Sequence, residues 1–237
     1  PNTPGFEPAP ILEDATATPL GIAAVTTANN QFAFDLYKQY KTEEGNLFFS
    51  PYSISTALGM TYEGAKGQTA EQMASVLHFP ADDNLRRAST ASIFNKLNKK
   101  DKPYELRTAN ALWAEREFTF LDTFFNTVKT FYSGDVTNLH FKGDQEGSRK
   151  IINDWVEEQT NNKIQNLLPQ GFIKNGTRLV LTNAVYFKGE WVKQFTKEDT
   201  KNRTFQITPT ETVDTPMMQR TDNDAMFNYA EDDLMQI

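Results

Sequence analysis

The stretch RLVLTNAVYF, Arg178–Phe187, decides how the rest of the chain is read. It has no glycine or proline and is rich in β-branched and aromatic residues, so it reads as a strand. The row Leu179, Leu181, Val185, Phe187 is apolar, as in a strand buried on both faces. Asn183 stands in the middle of that row. An amide buried there without a partner costs roughly 1–3 kcal/mol. The fold therefore has to bring it hydrogen-bonding groups. The hydroxyls of Ser50 and Ser53, at the start of an apolar helix, are candidates.

That helix is written in LFFSPYSISTALGMTYEGA, Leu47–Ala65. Ser50 followed by Pro51 is a helix start, with a hydroxyl to cap and a proline in the first turn. Ile54, Ala57, Leu58 and Thr61 follow with few charges until Glu63, so the spacing predicts a central, buried helix. Leu47–Phe49 reads as a short strand. Upstream, Phe32, Leu36, Tyr37 and Tyr40 predict an amphipathic helix over Asn29–Tyr40. Residues 1–27, with prolines at positions 1, 4, 8, 10 and 19, read as a flexible arm, and residues 28–237 as the folded domain.

Downstream, Thr69 with Gln72 is a capping-box pattern for a helix carrying Met73, Val76 and Leu77. A helix over 84–99 would turn Leu85, Ile93, Phe94 and Leu97 inward. Tyr104–Arg116 reads as a strand, Leu121–Tyr132 as a helix, and Asp135–Phe141 as a strand. Residues 147–163 form an amphipathic helix with Ile151, Ile152, Trp155 and Val156 on its apolar face. After Glu190 the pattern is all strand: NRTFQI, TVDTPMMQ, AMFNYAE and LMQI. Helices and strands mixed without regular βα alternation mark an α+β fold. The last strand is cut at Ile237, so the reading expects a continuation.

Composition excludes several function classes. The 237 residues include no cysteine, which removes disulfides, thiolate metal sites and cysteine nucleophiles. A net charge of -7 leaves no broad electrostatic footprint for nucleic acid. No apolar run approaches the ~18 residues of a membrane span. The only histidines, His78 and His140, lie in apolar contexts without a nucleophile elbow and read as structural. No His/Asp/Glu cluster has ligand spacing along the sequence, and both phosphate-binding glycine motifs are missing. Lys96, Lys99, Lys100 and Lys102 form a basic patch that a polyanion could use. A solvated helix end explains it more simply. The residues favour a binding or regulatory protein over an enzyme.

Four segments occur in one order: NLFFSPYSISTALGMTYEGAKGQTAEQM (Asn46–Met73), INDWVEEQTNNKI (Ile152–Ile164), LVLTNAVYFKGEW (Leu179–Trp191) and VDTPMMQ (Val213–Gln219). Together they resemble the serpin family of protease inhibitors over Ala28–Ile237. The resemblance implies a single domain of three β-sheets and eight or nine helices, here without its C-terminal third. It implies a suicide-substrate inhibitor. A serine protease, with cysteine proteases as a further class, cleaves an exposed reactive loop and is trapped as an acyl-enzyme when that loop enters the central sheet. The alternative is a non-inhibitory member acting as carrier, chaperone or storage protein.

By the same resemblance, Ser50, Ser53, Asn110 and Asn183 map onto the shutter, a polar cluster that holds the central sheet closed. Trp191 maps onto the breach, where loop insertion begins. The reactive bond is expected outside these residues. The expected partners are a target protease and the C-terminal remainder of the same protein, with no nucleic acid and no cofactor. The proline-rich arm points to a secreted or cell-surface protein.

Overall fold

The structure is a computed structural model describing residues 12–99 and 102–220. It falls into two units, Pro1–Lys188 and Gly189–Ile237. In the first unit the chain runs α1 (Pro19–Tyr40), α2 (Pro51–Tyr62), α3 (Gly67–Leu77), α4 (Asp83–Leu97), β1 (Tyr104–Glu115), α5 (Asp122–Tyr132), β2 (Gly134–Leu139), α6 (Gln145–Gln159) and β3 (Leu179–Gly189). The three strands make one sheet in the order β2-β1-β3. β1 and β2 are parallel, with Asn110 opposite Gly134 and Glu115 opposite Leu139. The end of β1 meets the start of β3, where the Glu115 amide donates to the Arg178 carbonyl at 2.9 Å. The start of β1 meets the end of β3, where the rings of Tyr104 and Phe187 lie 5.9 Å apart. These two strands therefore run antiparallel. Helices, a small mixed sheet and no regular alternation make the protein α+β.

Alternation along β1 divides the core. Ala111 and Trp113 point to one face and pack with Val180, Leu139 and Phe141 under Ile152 of α6. Leu112 and Ala114 point to the other and pack with Met60 of α2 and Val128 and Tyr132 of α5. One face of the sheet thus carries α6 and the other carries α2 and α5, as the period of two requires. Asn110 and Asn183 belong to the face that meets α2. Gly134 begins β2 where a Cβ would come within 2.5 Å of Val128 Cγ1 of α5 and 2.9 Å of the Met60 sulfur, so a larger residue would force these neighbours to shift. In the second unit, a 3-10 turn at Lys197–Asp199 leads into the antiparallel pair β4 (Lys201–Thr208) and β5 (Glu211–Met217). These are NRTFQI and TVDTPMMQ of the sequence, whereas AMFNYAE and LMQI lie outside the described residues.

Several expectations need correction. The first helix starts at Pro19, ten residues earlier than its apolar spacing indicated, because the Thr18 hydroxyl accepts from the Gly21 amide at 3.0 Å and proline fits the first turn. The expected flexible arm is also too long. Leu12 is buried against Ala91 and Phe94, and Asn95 accepts from its amide at 3.0 Å and donates to its carbonyl at 3.1 Å. Leu47–Phe49 forms no strand, and Phe48 is almost fully exposed. α3 starts at Gly67 without a side-chain cap, so Thr69 and Gln72 form no capping box. On α4, Phe94 is buried as expected, and Arg86, which the apolar pattern passed over, is buried as deeply. On α6, Ile151 is exposed and Asn153 is buried.

Candidate functional site

Ser50 is the N-cap of α2, and its hydroxyl accepts from the Ser53 amide. This leaves the first turn presenting the Ser53 side chain to β3. The Ser53 hydroxyl bonds to Asn183 Oδ1. Asn183 Nδ2 donates to Asn110 Oδ1 at 2.7 Å. Asn110 Nδ2 donates to the Tyr132 carbonyl at 3.1 Å. One continuous chain of side-chain hydrogen bonds thus runs from α2 through β3 and β1 to the end of α5. Three of the four expected residues, Ser53, Asn183 and Asn110, are brought together directly. Ser50 acts one step back, by shaping the turn that presents Ser53. Tyr132 enters the chain through its backbone, which no side-chain pattern could have signalled.

The surroundings of Asn183 differ from the expected dry sheet. Along β3, Val180, Thr182 and Ala184 are buried, whereas Leu181, Asn183 and Val185 are half-buried and Phe187 is exposed. The reason is a groove of about 550 Å3 between α2 and β3, lined by Phe49, Ser50, Ile54, Leu58, Leu181 and Asn183 among others. Asn183 is therefore a satisfied amide at the floor of an open groove. The strand is dry only on its α6 side, where the Trp113 indole N–H donates to the Thr182 hydroxyl at 3.0 Å. Among the described residues β3 is an edge of its sheet.

Behind the polar chain lies a buried ion cluster. The Glu63 carboxylate is 1% exposed and accepts from Arg86 at 2.9 Å, from Arg87 Nε at 2.9 Å and from the Tyr132 hydroxyl at 2.7 Å. Asp83 completes it with an ion pair to Arg86 at 2.6 Å. The Arg86 guanidinium lies 4.5 Å over the Tyr62 ring. Burial pushes the Glu63 carboxyl up, but the hydrogen bonds from Arg87, Tyr132 and Arg86 outweigh it and hold it below the usual carboxylate range. Burial and the Glu63 charge together push the Tyr132 phenol well up, so it stays a donor. Tyr132 belongs to both networks, through its hydroxyl here and through its carbonyl to Asn110.

The remaining candidates separate. Trp191 lies in the second unit, 66% exposed, with its ring edge-on to Phe195 at 5.9 Å. Of the basic patch, Lys102 caps the end of α4 by donating to the carbonyls of Lys96 and of Leu97, the latter at 3.2 Å. It therefore acts as a helix terminator, while Lys100 lies outside the described residues. His78 ends α3 in the left-handed conformation and meets Asp35 of α1 at 2.8 Å. His140 sits 3.4 Å from Glu117.

Glu115, Glu117 and His140 gather closely enough to share a metal ion, a grouping that their spacing along the chain concealed. Their donor atoms are largely committed elsewhere. The Glu115 carboxylate accepts from the amides of Glu117 at 3.2 Å and Lys142 at 3.0 Å. Glu117 pairs with the Lys142 ammonium at 3.0 Å. The cluster is built as a tie between the end of β1 and the turn before α6. No helix among the described residues is long and apolar enough to cross a membrane.

A sheet backed by α6 on one face, and latched on the other by amides and a serine to a capped helix, defines an α+β protein with a polar seam at its centre. The family model for serpins (serine protease inhibitors) matches residues 27–237, and the chain belongs to that family. It is 41% identical over 234 residues to an uncharacterized serpin-like protein of Methanosarcina acetivorans, covering 97% of this chain and 54% of that one. It is 43% identical over 211 residues to the leukocyte elastase inhibitor of Xenopus laevis, covering 88% and 55%. Among solved structures it resembles human thyroxine-binding globulin complexed with thyroxine, with a TM-score of 0.72, 33% identity and coverage of 84% and 54%. The chain spans about half the length of the curated relatives it matches.

Proposed function

We propose that the protein containing this chain is a suicide-substrate inhibitor of a serine protease, with cysteine proteases as a further target class. The protease serine attacks a scissile carbonyl in a reactive loop outside residues 1–237. The peptide bond breaks, a new amino terminus leaves, and an acyl-enzyme forms. The cleaved loop then adds as a strand beside β3, and water is kept from completing deacylation because the protease is carried away and distorted.

The observation that carries this reading is the Ser53–Asn183–Asn110–Tyr132 chain, together with the membership of a family described as serine protease inhibitors. β3 is an edge among the described residues, so its outer side is where a strand could join. Moving β3 across α2 requires breaking the Ser53–Asn183 bond, and the same groups can re-form bonds once it has moved. We assign Ser53, Asn183 and Asn110 to the shutter, Ser50 to its support, and Trp191 to the breach. Export to the cell surface or beyond belongs to the same reading. The native state is then held by a barrier more than by equilibrium.

The test is incubation of the full-length protein with trypsin-, chymotrypsin-, elastase- and subtilisin-like proteases. An SDS-resistant covalent complex supports the reading. Cleavage as a plain substrate, with no complex and no rise in thermal stability, rejects it. The likeness to a thyroxine-binding protein favours a second reading, a non-inhibitory carrier, which that outcome would select.

A further inference from the structure

The polar seam and the ion cluster meet at Tyr132, and both also end on α2. Ser53 lies in the first turn of α2. Glu63 is the C-cap of the same helix, with its amide donating to the Gly59 carbonyl at 3.2 Å. At 1.5 Å of rise per residue, positions 53 and 63 stand about 15 Å apart along one stiff rod. From the Ser53 end, hydrogen bonds pass through Asn183 and Asn110 to the Tyr132 carbonyl. From the Glu63 end, the carboxylate accepts from the Tyr132 hydroxyl at 2.7 Å. The bonds therefore close a circuit that runs from α2 through β3, β1 and α5 and back to α2.

Tyr132 is built to hand a constraint from one side of this circuit to the other. It is 2% exposed and packs with Met60 and Val128. A Cβ at Gly59 would stand 3.0 Å from Tyr132 Cε1, so the phenol ring lies close against α2. Tyr132 is also the last residue of α5, where a carbonyl has no partner within the helix. That carbonyl is the one Asn110 takes at 3.1 Å. Ser133 then turns in the left-handed conformation, and Gly134 opens β2 opposite Asn110. Glu63 is in turn gripped by Arg86 on one oxygen and by Arg87 Nε on the other, each at 2.9 Å. A carboxylate held on both oxygens does not swing away with the hydroxyl it binds.

We propose that Glu63 is a positioning residue for the seam: through the Tyr132 hydroxyl it fixes the carbonyl that Asn110 binds, and so braces the Ser53–Asn183–Asn110 latch from both ends of α2. The inference rests on reading that seam as the latch of an opening sheet. In a closed circuit each bond is held partly by the others, so a first cut loosens the rest and a second cut adds less. An open chain beside an unrelated ion cluster would lose only the bond that is cut, and two cuts would multiply.

The experiment is a double-mutant cycle on the rate at which the full-length protein converts to its latent or polymeric form. Tyr132→Phe keeps the phenyl ring and the carbonyl and removes only the hydroxyl. It should convert at least about threefold faster than wild type, and Asn183→Ala at least about fivefold faster. The double variant should exceed the faster single variant by no more than about 1.5-fold, whereas independent bonds would give about threefold or more. Glu63→Gln, which removes the charge that Arg86 and Arg87 grip, should show the same shortfall when combined with Asn183→Ala. Asn153→Ala, whose bonds to Leu168 lie outside the circuit, should instead multiply with Asn183→Ala. A wild-type rate in Tyr132→Phe overturns the proposal. So does a double variant whose acceleration is the product of the two singles, or an equal shortfall in the Asn153 cycle. If Asn183→Ala alone converts at the wild-type rate, the latch reading falls and the circuit falls with it. A fast Asn183→Ala beside an unchanged Tyr132→Phe leaves the latch standing and removes the brace.

Discussion

Replacing Glu63 by alanine strips a buried cluster of its central anion. Glu63 and Arg86 side chains are 1% and 2% exposed, so neither is screened by solvent. Removing one partner of such a pair typically costs about 3–5 kcal/mol, because the other charge is left buried. Arg86 keeps Asp83, which is half-exposed, and this places the cost near the lower bound of about 3 kcal/mol. The Tyr132 hydroxyl also loses its acceptor, adding about 1 kcal/mol. The expected loss is therefore about 4 kcal/mol, read as a shift of the first urea transition in the full-length protein. The double variant Glu63→Leu/Arg86→Met removes both charges and should recover at least about 2 kcal/mol of that loss. A loss under about 1 kcal/mol for Glu63→Ala would refute the reasoning, as would a double variant no more stable than the single one.

Four further predictions follow from the same geometry. Because the Glu63 carboxyl is held below its ordinary value in the folded protein, its contribution is fully present above the unfolded pKa. It is lost as pH falls through the folded one, so wild type should weaken below about pH 4.5 more steeply than Glu63→Gln in acid-denaturation curves. Asn153 brackets the Leu168 backbone, accepting from its amide at 2.8 Å and donating to its carbonyl at 3.1 Å. Asn153→Ala should cost about 2 kcal/mol and speed hydrogen exchange at the Leu168 amide, and unchanged exchange would contradict it. Trp113→Phe removes the Thr182 hydroxyl's donor and leaves a void where part of the buried indole stood, for about 2–3 kcal/mol in the same urea assay. Lys102→Ala should fray the end of α4 by about 0.5–1 kcal/mol while leaving retention on a heparin column unchanged; a marked loss of retention would restore the polyanion reading.

How much of this was legible in the sequence depends on what kind of signal each residue leaves. Asn183 was legible because an amide interrupts an apolar row, and Ser53 because a helix start stands in front of it. Their meeting with Asn110 came from the resemblance, since nothing local links positions 53, 110 and 183. Arg86 and Glu63 were not legible. In DDNLRR an arginine looks solvated, and Glu63 looks like the first charge at a helix's wet end. Only the tertiary approach of α2, α4 and α5 turns them inward. The start of α1 was missed because its first turns carry small and β-branched residues without an amphipathic stripe, while the decisive signals were Thr18 and Pro19. Asn153 read as the polar side of α6 because its partner is backbone fifteen positions away. Glu115 and Glu117 stand two apart on the chain, and His140 is brought to them by the pairing of β1 with β2.

The central claim is that the Ser53–Asn183–Asn110 chain keeps a metastable sheet shut. It is tested most directly by the rate at which purified full-length protein converts to its latent or polymeric form, measured for wild type and Asn183→Ala. In the proposed mechanism the chain's bonds hold the closed sheet and break when β3 moves, and losing about 1–3 kcal/mol from that barrier is worth roughly five- to 150-fold in rate. The account predicts conversion at least about fivefold faster in Asn183→Ala, with little change in circular dichroism before conversion. Equal conversion rates would contradict it and reduce Asn183 to a satisfied amide at the floor of a groove.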